Sequence, residues 1–271
     1  MINIGLWYLF PLSILISTVA MMAGIGGAAM FSPVFMLLLG LDAISAFATG
    51  LFVELFGFTS GLIGYWRKKL IDFSIVRRLG IVVVPSVIAG IVLARFLPSL
   101  LLKLILAALL LYLSISFITQ KKKCNPKHPS CNHETALGEY SSKMISPSVL
   151  VSSIFGGLLF GSISSGLGEL NEYNFLKKLR LPLPISSGTS VFLVAISAFV
   201  GILIHASLFF VNGSSFEFSK IANILLFVLP GVILGAQAGV FTSQRVNLDH
   251  MGRFVGGLFM VLFILVIILL F

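Results

Sequence analysis

The sequence predicts an all-α polytopic membrane protein made of two inverted repeats, each a broken, re-entrant helical hairpin followed by three transmembrane helices. Three observations support this: extreme apolarity, glycines that interrupt two apolar runs, and landmarks that recur in order. Of 271 residues, 58% are hydrophobic and 10% charged, with a mean hydropathy of +1.11. A soluble domain carries about 25% charged residues. Transmembrane β-strands would alternate in hydropathy, so membrane helices are expected.

Ten apolar runs are predicted to be helical, and most are long enough to cross the hydrocarbon core. The N-terminal run has no basic flank or small-residue cleavage site, so we interpret it as a retained helix. One long polar stretch divides the chain into a first membrane repeat (1–119), a linker (120–146) and a second membrane repeat (147–271). The predicted helices are Leu6–Met22, Ala28–Leu39, Ile44–Trp66, Leu79–Leu97, Leu100–Ile118, Pro147–Ser164, Leu170–Leu179, Ile185–Val211, Ile221–Phe241 and Gly252–Phe271.

Landmarks of the first half recur in the second half in the same order, which indicates a duplication. Chance matches between apolar segments are common, but glycine and proline anchors at matching places are more specific. The matching pairs are "AGIGG" (23–27) with "SGLGE" (165–169), "ATGLF" (48–52) with "GTSVF" (188–192), Gly61 with Gly201, and "VVPSVIAG" (83–90) with "VLPGVILG" (228–235).

Basic residues set the orientation, because they concentrate in cytoplasmic loops. Loop 67–78 and linker 120–146 are both basic and should be cytoplasmic, whereas loop 212–219 suits the outside. These demands are met when Leu6–Leu39 starts and ends outside and Pro147–Leu179 starts and ends inside. The alternative is a kinked long helix, but an arm of about 12 residues spans about 18 Å, less than the core of about 30 Å. Inverted halves with broken helices are typical of secondary transporters.

The net charge of +9 is explained by these loops, so no nucleic-acid partner is expected. The first break, "MAGIGGAAMFSP" (22–33), places Gly24, Gly26 and Gly27 just before a helical arm. Backbone N–H groups at a helix start are unpaired and carry partial positive charge. Such an end attracts an anion, so these glycines are candidate substrate ligands. Tight helix packing through small residues is the alternative.

The second break, "SSGLGELNEYN" (164–174), adds hydroxyl and amide groups to the same arrangement. Its two acidic residues, Glu169 and Glu172, could cap the following helix or take up a proton as the anion binds. We expect the other polar and small positions to line the substrate site; they are Ser164, Ser165, Gly166, Gly168 and Asn171.

Further candidates lie in the transmembrane helices. Glu54 is in mid-helix, where an ionisable group is costly and is a functional candidate by default; a buried structural hydrogen bond is the alternative. His205 could titrate near neutrality or be a satisfied core histidine. The remaining substrate-site candidates are small or polar positions that could instead serve helix contacts; they are Thr49, Thr189, Ser190 and Gln237.

The linker contains four residues of zinc-binding type, but their spacing matches no metal site that we can assign. A plain cytoplasmic linker is therefore favoured, and neither a cofactor nor a disulfide framework is expected. No nucleotide-binding or hydrolase motif is present, so we do not expect an enzyme. The four residues are Cys124, His128, Cys131 and His133.

With these breaks and repeats, the sequence resembles the sulfite exporter family, TauE/SafE. The resemblance rests on "GIGGAAMFSP" (24–33) and "GTSVFLVAISAFVG" (188–201) and extends from about residue 12 to 265. It implies outward transport of small sulfur-containing anions such as sulfite or organosulfonates. One departure is Glu169, which stands where the family pattern has a third glycine. This departure argues against two equivalent anion sites.

The predicted function is secondary-active, proton- or ion-coupled export of such an anion at the two breaks. The coupling candidates are four titratable residues of the helices and breaks: Glu54, Glu169, Glu172 and His205. The alternatives are a passive anion channel and a non-transporting scaffold whose linker binds a partner or metal. The protein is expected in the inner or plasma membrane, in contact with lipid. Formation of a homo-oligomer is compatible with the sequence.

Overall fold

The computed structural model describes residues 4–23, 27–119, 146–179, 181–212, 215–243 and 248–268. In this part of the chain, a short 3-10 turn, Ile4–Leu6, precedes ten α-helices, and there is no strand. The predicted all-α membrane fold is therefore confirmed. The helices are α1 Leu9–Ala23, α2 Ala28–Leu39, α3 Ala43–Arg67, α4 Phe73–Ala94, α5 Ser99–Ile118, α6 Pro147–Ile163, α7 Leu167–Lys177, α8 Leu183–Asn212, α9 Ser215–Ser243 and α10 Leu248–Ile268.

In the described part of the chain, five helices are long and apolar enough to cross a membrane: α3, α4, α5 and large parts of α8 and α9. The helices α1, α2 and α6 are apolar but shorter. Large apolar side chains remain exposed on the outer surface, such as Ile81 at 73% and Phe96 at 79%. In a bilayer, lipid tails would cover this surface, so its exposure is consistent with the membrane assignment.

Capping residues explain most of the helix boundaries. The Asp42 side chain accepts a hydrogen bond from the Ser45 backbone N–H at the start of α3. Asp72 does the same at the start of α4, from Ser74 at 2.9 Å and Ile75 at 3.2 Å. Hydropathy predicted α4 to begin at Leu79 because its first turns are polar, but this cap starts the helix at Phe73.

The arms of the second hairpin run antiparallel. Ser153 of α6 bonds to Asn171 of α7, and Ser152 bonds to Asn174. Ser164, with φ of 55°, ends α6, and Gly166, with φ of 110°, begins the turn into α7. Only glycine adopts the second of these conformations without strain, so the chain reverses within three residues.

The first hairpin also folds back, as its contacts with neighbouring helices reveal. Ala28 and Ser32 of α2 lie against Gly50 of α3, while Gly27 lies near Glu54. Increasing numbers in α2 thus meet decreasing numbers in α3, and the two helices are antiparallel. Helix α3 runs parallel to α9, with Gly57 against Val232 and Gly64 against Val240. Because α9 in turn runs parallel to α1, α2 returns antiparallel to α1.

Helices of the two halves pack in crossed pairs. In the pair α1 and α9, Phe10 lies against Gly231, Ile14 against Gly235 and Thr18 against Gly239, so the helices are parallel. The pair α4 and α6 is also parallel; the contacts are Val83 with Gly157 and Val87 with Gly161. In both pairs, glycines allow close approach of the backbones, as is usual between membrane helices.

The remaining cross-half contacts complete the arrangement. Helices α3 and α8 run antiparallel, with Gly188 against Tyr65 and Gly201 against Leu51. Helices α5 and α10 are antiparallel as well, and Ser114 donates a hydrogen bond to the Gly256 carbonyl at 2.8 Å. Each helix of the first half therefore packs on helices of the second half, and the short hairpin arms α2 and α7 begin in the interior.

Candidate functional site

The first helix break ends where α2 begins, at Gly27, against the middle of α3. Among the described residues, no side chain of the hairpin itself caps this helix start. The backbone of Gly27 and Ala28 instead lies near the carboxyl group of Glu54 on α3. A glycine in α3 permits this close approach: a Cβ at Gly50 would lie 2.8 Å from the Ser32 hydroxyl and 3.3 Å from the Ala28 Cβ.

Glu54 is buried, with 2% of its surface exposed. Within the described part of the chain, neither carboxylate oxygen has a hydrogen-bond partner of good geometry, although both backbone N–H groups approach it. Buried polar groups are normally hydrogen-bonded, and burying an unpaired charge is costly. The described contacts of Glu54 therefore do not include the buried structural hydrogen bond that was considered as an alternative role.

Ser32 is a site residue that the sequence did not reveal. Its hydroxyl is completely buried and, among the described residues, has no hydrogen-bond partner. Ser32 lies one turn after Ala28 on the same face of α2, opposite Gly50. In the sequence it appears as one polar residue in an apolar arm, and only the packing of α2 on α3 places it against Gly50, one helical turn from Glu54.

The second helix break is capped from within. The Glu169 carboxylate accepts a hydrogen bond from the Gly166 backbone N–H at 2.8 Å and from the Ser165 hydroxyl at 3.3 Å. The Glu169 side chain thus provides the N3 part of a capping box, in which an acidic side chain accepts from the backbone N–H of the N-cap residue. The carboxylate lies where an external anion would otherwise bind at the start of α7, which supports the helix-capping alternative for Glu169.

Other polar residues of α7 bind the neighbouring helices α6 and α8. Asn171 bonds to Ser153 at 2.7 Å, and the Ser187 hydroxyl donates to Glu172 at 3.2 Å. The Asn171 side-chain nitrogen and the Ser186 hydroxyl have no partner among the described residues. These polar residues around the second break are completely buried, and those around the first break, Ser32 and Glu54, are at most 2% exposed.

The two breaks meet around α3. The Ser164 hydroxyl donates to the Phe47 carbonyl of α3 at 3.0 Å. Ser190 of α8 donates to the Gly168 carbonyl of α7 at 3.1 Å. The carboxyl groups of Glu54 and Glu169 are close enough to interact electrostatically. One buried polar region thus contains both helix starts.

Several predicted site residues are engaged elsewhere. Thr49 is buried and donates to the Ser45 carbonyl of its own helix, and Thr189 accepts a hydrogen bond from the Asp72 backbone N–H at 3.0 Å. Gln237 is on the exposed side of α9, bonded to Ser60, and does not join the buried polar region. These contacts are of the structural kind considered for all three positions.

Other predicted residues are not described. Gly24 and Gly26 lie outside the described residues, so Gly27 alone represents the first glycine motif. His205 belongs to α8, but its side chain is outside the description. The four candidate metal ligands of the linker lie entirely outside the described residues; they are Cys124, His128, Cys131 and His133.

The fold and this site together indicate a class of membrane protein. A helical, multi-pass membrane protein whose buried polar groups meet at broken helices has the construction of a membrane transporter. The family model described as "Sulfite exporter TauE/SafE" matches residues 9–267, and the chain belongs to this family. The resemblance noted in the sequence is therefore confirmed.

A curated relative agrees with this assignment. The chain is 26% identical over 236 residues to the "Probable membrane transporter protein YjnA" of Bacillus subtilis (strain 168). The aligned region covers 83% of this chain and 86% of that protein. No solved structure matches. Family membership makes the chain a membrane transporter and not an enzyme, with a small-molecule substrate and a lipid environment.

Proposed function

We propose that this chain is a secondary-active exporter of small sulfur-containing anions, such as sulfite or organosulfonates, coupled to a proton or ion gradient. The observation that carries the proposal is the helix start at Gly27 and Ala28, which lies in a buried polar region and, among the described residues, has no side-chain cap from its own hairpin. Backbone N–H groups at such an end bind anions. Family membership supports the substrate class.

The binding site is proposed to include both breaks, with unequal roles. Gly24, Gly26 and Gly27 would supply backbone donors at the first break, and Ser32 would add a hydroxyl group. Asn171 has a buried amide nitrogen that can face substrate from the second break. The coupling residue is to be sought among Glu54, Glu169, Glu172 and His205. Glu169 and Glu172 already accept hydrogen bonds from neighbouring groups.

We further propose that the two halves, 1–119 and 147–271, are inverted repeats joined by a cytoplasmic linker, in the plasma membrane. The helix directions support this. Given that both hairpins fold back, α1 and α3 run opposite to their counterparts α6 and α8, and α4 runs opposite to α9. Alternating access would then involve movement of one half against the other.

The proposal is tested by counterflow in proteoliposomes. Vesicles loaded with unlabelled sulfite or with a sulfonate should accumulate the labelled anion, whereas vesicles loaded with simple carboxylates should accumulate much less. Accumulation shows exchange by a carrier. Lack of exchange by every sulfur-containing anion over a range of pH would contradict the proposal, and currents far above carrier turnover would favour a channel.

A further inference from the structure

Glu54 lies where an anion bound at the first helix break would lie. The backbone N–H groups of Gly27 and Ala28 lie near its carboxyl group, and no side chain of the same hairpin caps that helix start among the described residues. The Ser32 hydroxyl, buried and without a described partner, faces the same interface from α2. The donors available to an anion are thus the donors available to Glu54.

The surroundings of Glu54 contain little else to stabilise its negative charge. It is 2% exposed, and neither oxygen has a hydrogen-bond partner of good geometry in the described part of the chain. Glu169 differs, because its two oxygens accept bonds from Ser165 and Gly166. An ionised Glu54 would therefore depend on the helix start of α2, whereas an ionised Glu169 does not.

We infer that Glu54 and the transported anion compete for the backbone N–H groups at the start of α2, so that each anion binds together with one proton on Glu54. This inference rests on the proposed function and specifies the coupling ion and the coupling residue of that site. A bound anion and an ionised Glu54 would be two negative charges in one buried space, which is strongly unfavourable.

The proton balance of the step is simple. A proton from water on the open side adds to one Glu54 carboxylate oxygen and makes the group neutral. The released N–H groups then donate to the anion, and the new Glu54 O–H can donate as well. On the other side of the membrane, loss of the anion and loss of the proton return Glu54 to the helix start. A monoanion and a proton together move no net charge, and they leave the cell together when the outward gradient of the anion exceeds the inward gradient of protons.

Other ionisable groups must be considered as sources of pH dependence. Glu169 on α7 acts electrostatically on Glu54, and α1 and α2 carry no ionisable side chain. Three further helices that pack against α3 contribute ionisable residues, which are His205 on α8, Glu217 and Lys220 on α9, and Lys103 and Tyr112 on α5.

The test is equilibrium binding of isethionate, a sulfonate whose charge does not change in the range used, to the full chain in lipid nanodiscs. Affinity should fall by up to about tenfold per pH unit as Glu54 loses its proton. A pH-independent affinity between about pH 5 and about pH 9 would overturn the inference.

Glu54→Gln provides the decisive comparison, because a neutral amide of nearly the same shape cannot compete as an anion. The variant should bind isethionate at alkaline pH as tightly as the parent chain binds it at acid pH. Such a gain of binding cannot arise from misfolding. Persistence of the pH dependence in Glu54→Gln would overturn the inference. Asp72→Asn removes another buried carboxylate, which caps α4 away from the site, and should keep the pH dependence. Loss of the dependence in Asp72→Asn would also overturn the inference.

A transport measurement separates this inference from the proposed function. Isethionate flux in proteoliposomes should follow an imposed pH gradient and should not change with an imposed membrane potential. Flux that follows the potential and ignores the pH gradient would overturn the coupling and leave the transporter proposal intact. If no sulfur-containing anion binds or exchanges in the parent chain, the proposed function itself fails.

Discussion

The two helix breaks differ in what meets the backbone N–H groups at the start of the returning arm. At the second break, Glu169 of the same arm accepts from Gly166 at 2.8 Å and from Ser165 at 3.3 Å. At the first break, the start of α2 has no such cap among the described residues, and Glu54 of a different helix approaches it. The start of α7 is thus capped by a residue of the same helix, whereas the start of α2 faces a carboxyl group of a different helix.

This difference indicates that the two breaks have different functions. A cap within one arm stays in place when helices move, because its partners move together. A carboxyl group on α3 can separate from the start of α2, or lose its charge, without unfolding either helix. We therefore expect the first break to bind the anion and the second to hold a fixed hairpin, and the following predictions test this comparison.

Gly50→Val should have the largest effect. A Cβ at this position would lie 2.8 Å from the Ser32 hydroxyl and 3.3 Å from the Ala28 Cβ, so α2 must move away from Glu54. Overpacking of this kind costs about 1–3 kcal/mol, and transport should fall about 100-fold because the anion ligands are displaced. Counterflow rates measure the effect.

Gly80→Val is the matched control, since a Cβ at Gly80 in α4 would meet no atom within 4 Å. It should insert and transport as the parent chain does. Equal activity of the Gly50 and Gly80 variants would show that the contact between α2 and α3 is unimportant for transport.

Ser32→Ala should have an intermediate effect. Its buried hydroxyl has no hydrogen-bond partner among the described residues, so its removal leaves no protein group unsatisfied. If it binds the anion, affinity should fall about fivefold, as expected for one hydrogen bond. Isothermal titration measures the change.

Ser114→Ala is the control for that change, because this serine is equally buried but donates to the Gly256 carbonyl. It should lower thermal stability and leave anion affinity unchanged. An unchanged affinity in Ser32→Ala would remove Ser32 from the site.

Glu169→Ala should have the smallest effect on function. Loss of a helix cap costs about 1 kcal/mol, so the variant should unfold at lower temperature while anion affinity changes by less than about threefold. Glu169→Gln keeps an acceptor for the Gly166 N–H and should be more stable than the alanine variant. Loss of anion binding in both variants would reverse the roles assigned to the two breaks.

Much of the fold could be predicted from the sequence, because glycines and charged loops leave strong signals. The arm Ala28–Leu39 was predicted with the bounds that the structure has, since Gly27 and Gly40 flank it. The start of α4 was misplaced because Arg77 and Arg78 lower hydropathy in turns that the Asp72 cap makes helical. Hydropathy indicates which residues are buried in lipid, so it does not detect a helix start that depends on a local polar contact such as a cap.

The site could be predicted only in part. Glu54 was identifiable from its depth in an apolar run, and Glu169 from its place in a helix start. Ser32 could not be found, because its significance depends on packing against Gly50 across two helices. Gln237 was selected for its polarity, but the direction in which a helix faces lipid depends on tertiary packing that one sequence does not contain.

The most direct test of the central claim is to locate a bound anion. Selenite, the selenium analogue of sulfite, can be placed in crystals of the full chain by its anomalous scattering. A selenium peak should appear at the first break, within about 4 Å of the backbone nitrogen atoms of Gly27 and Ala28, as hydrogen bonds to its oxygens require. A peak at Gly166 in the second break, or no peak at the first break under saturating selenite at acid pH, would contradict the account.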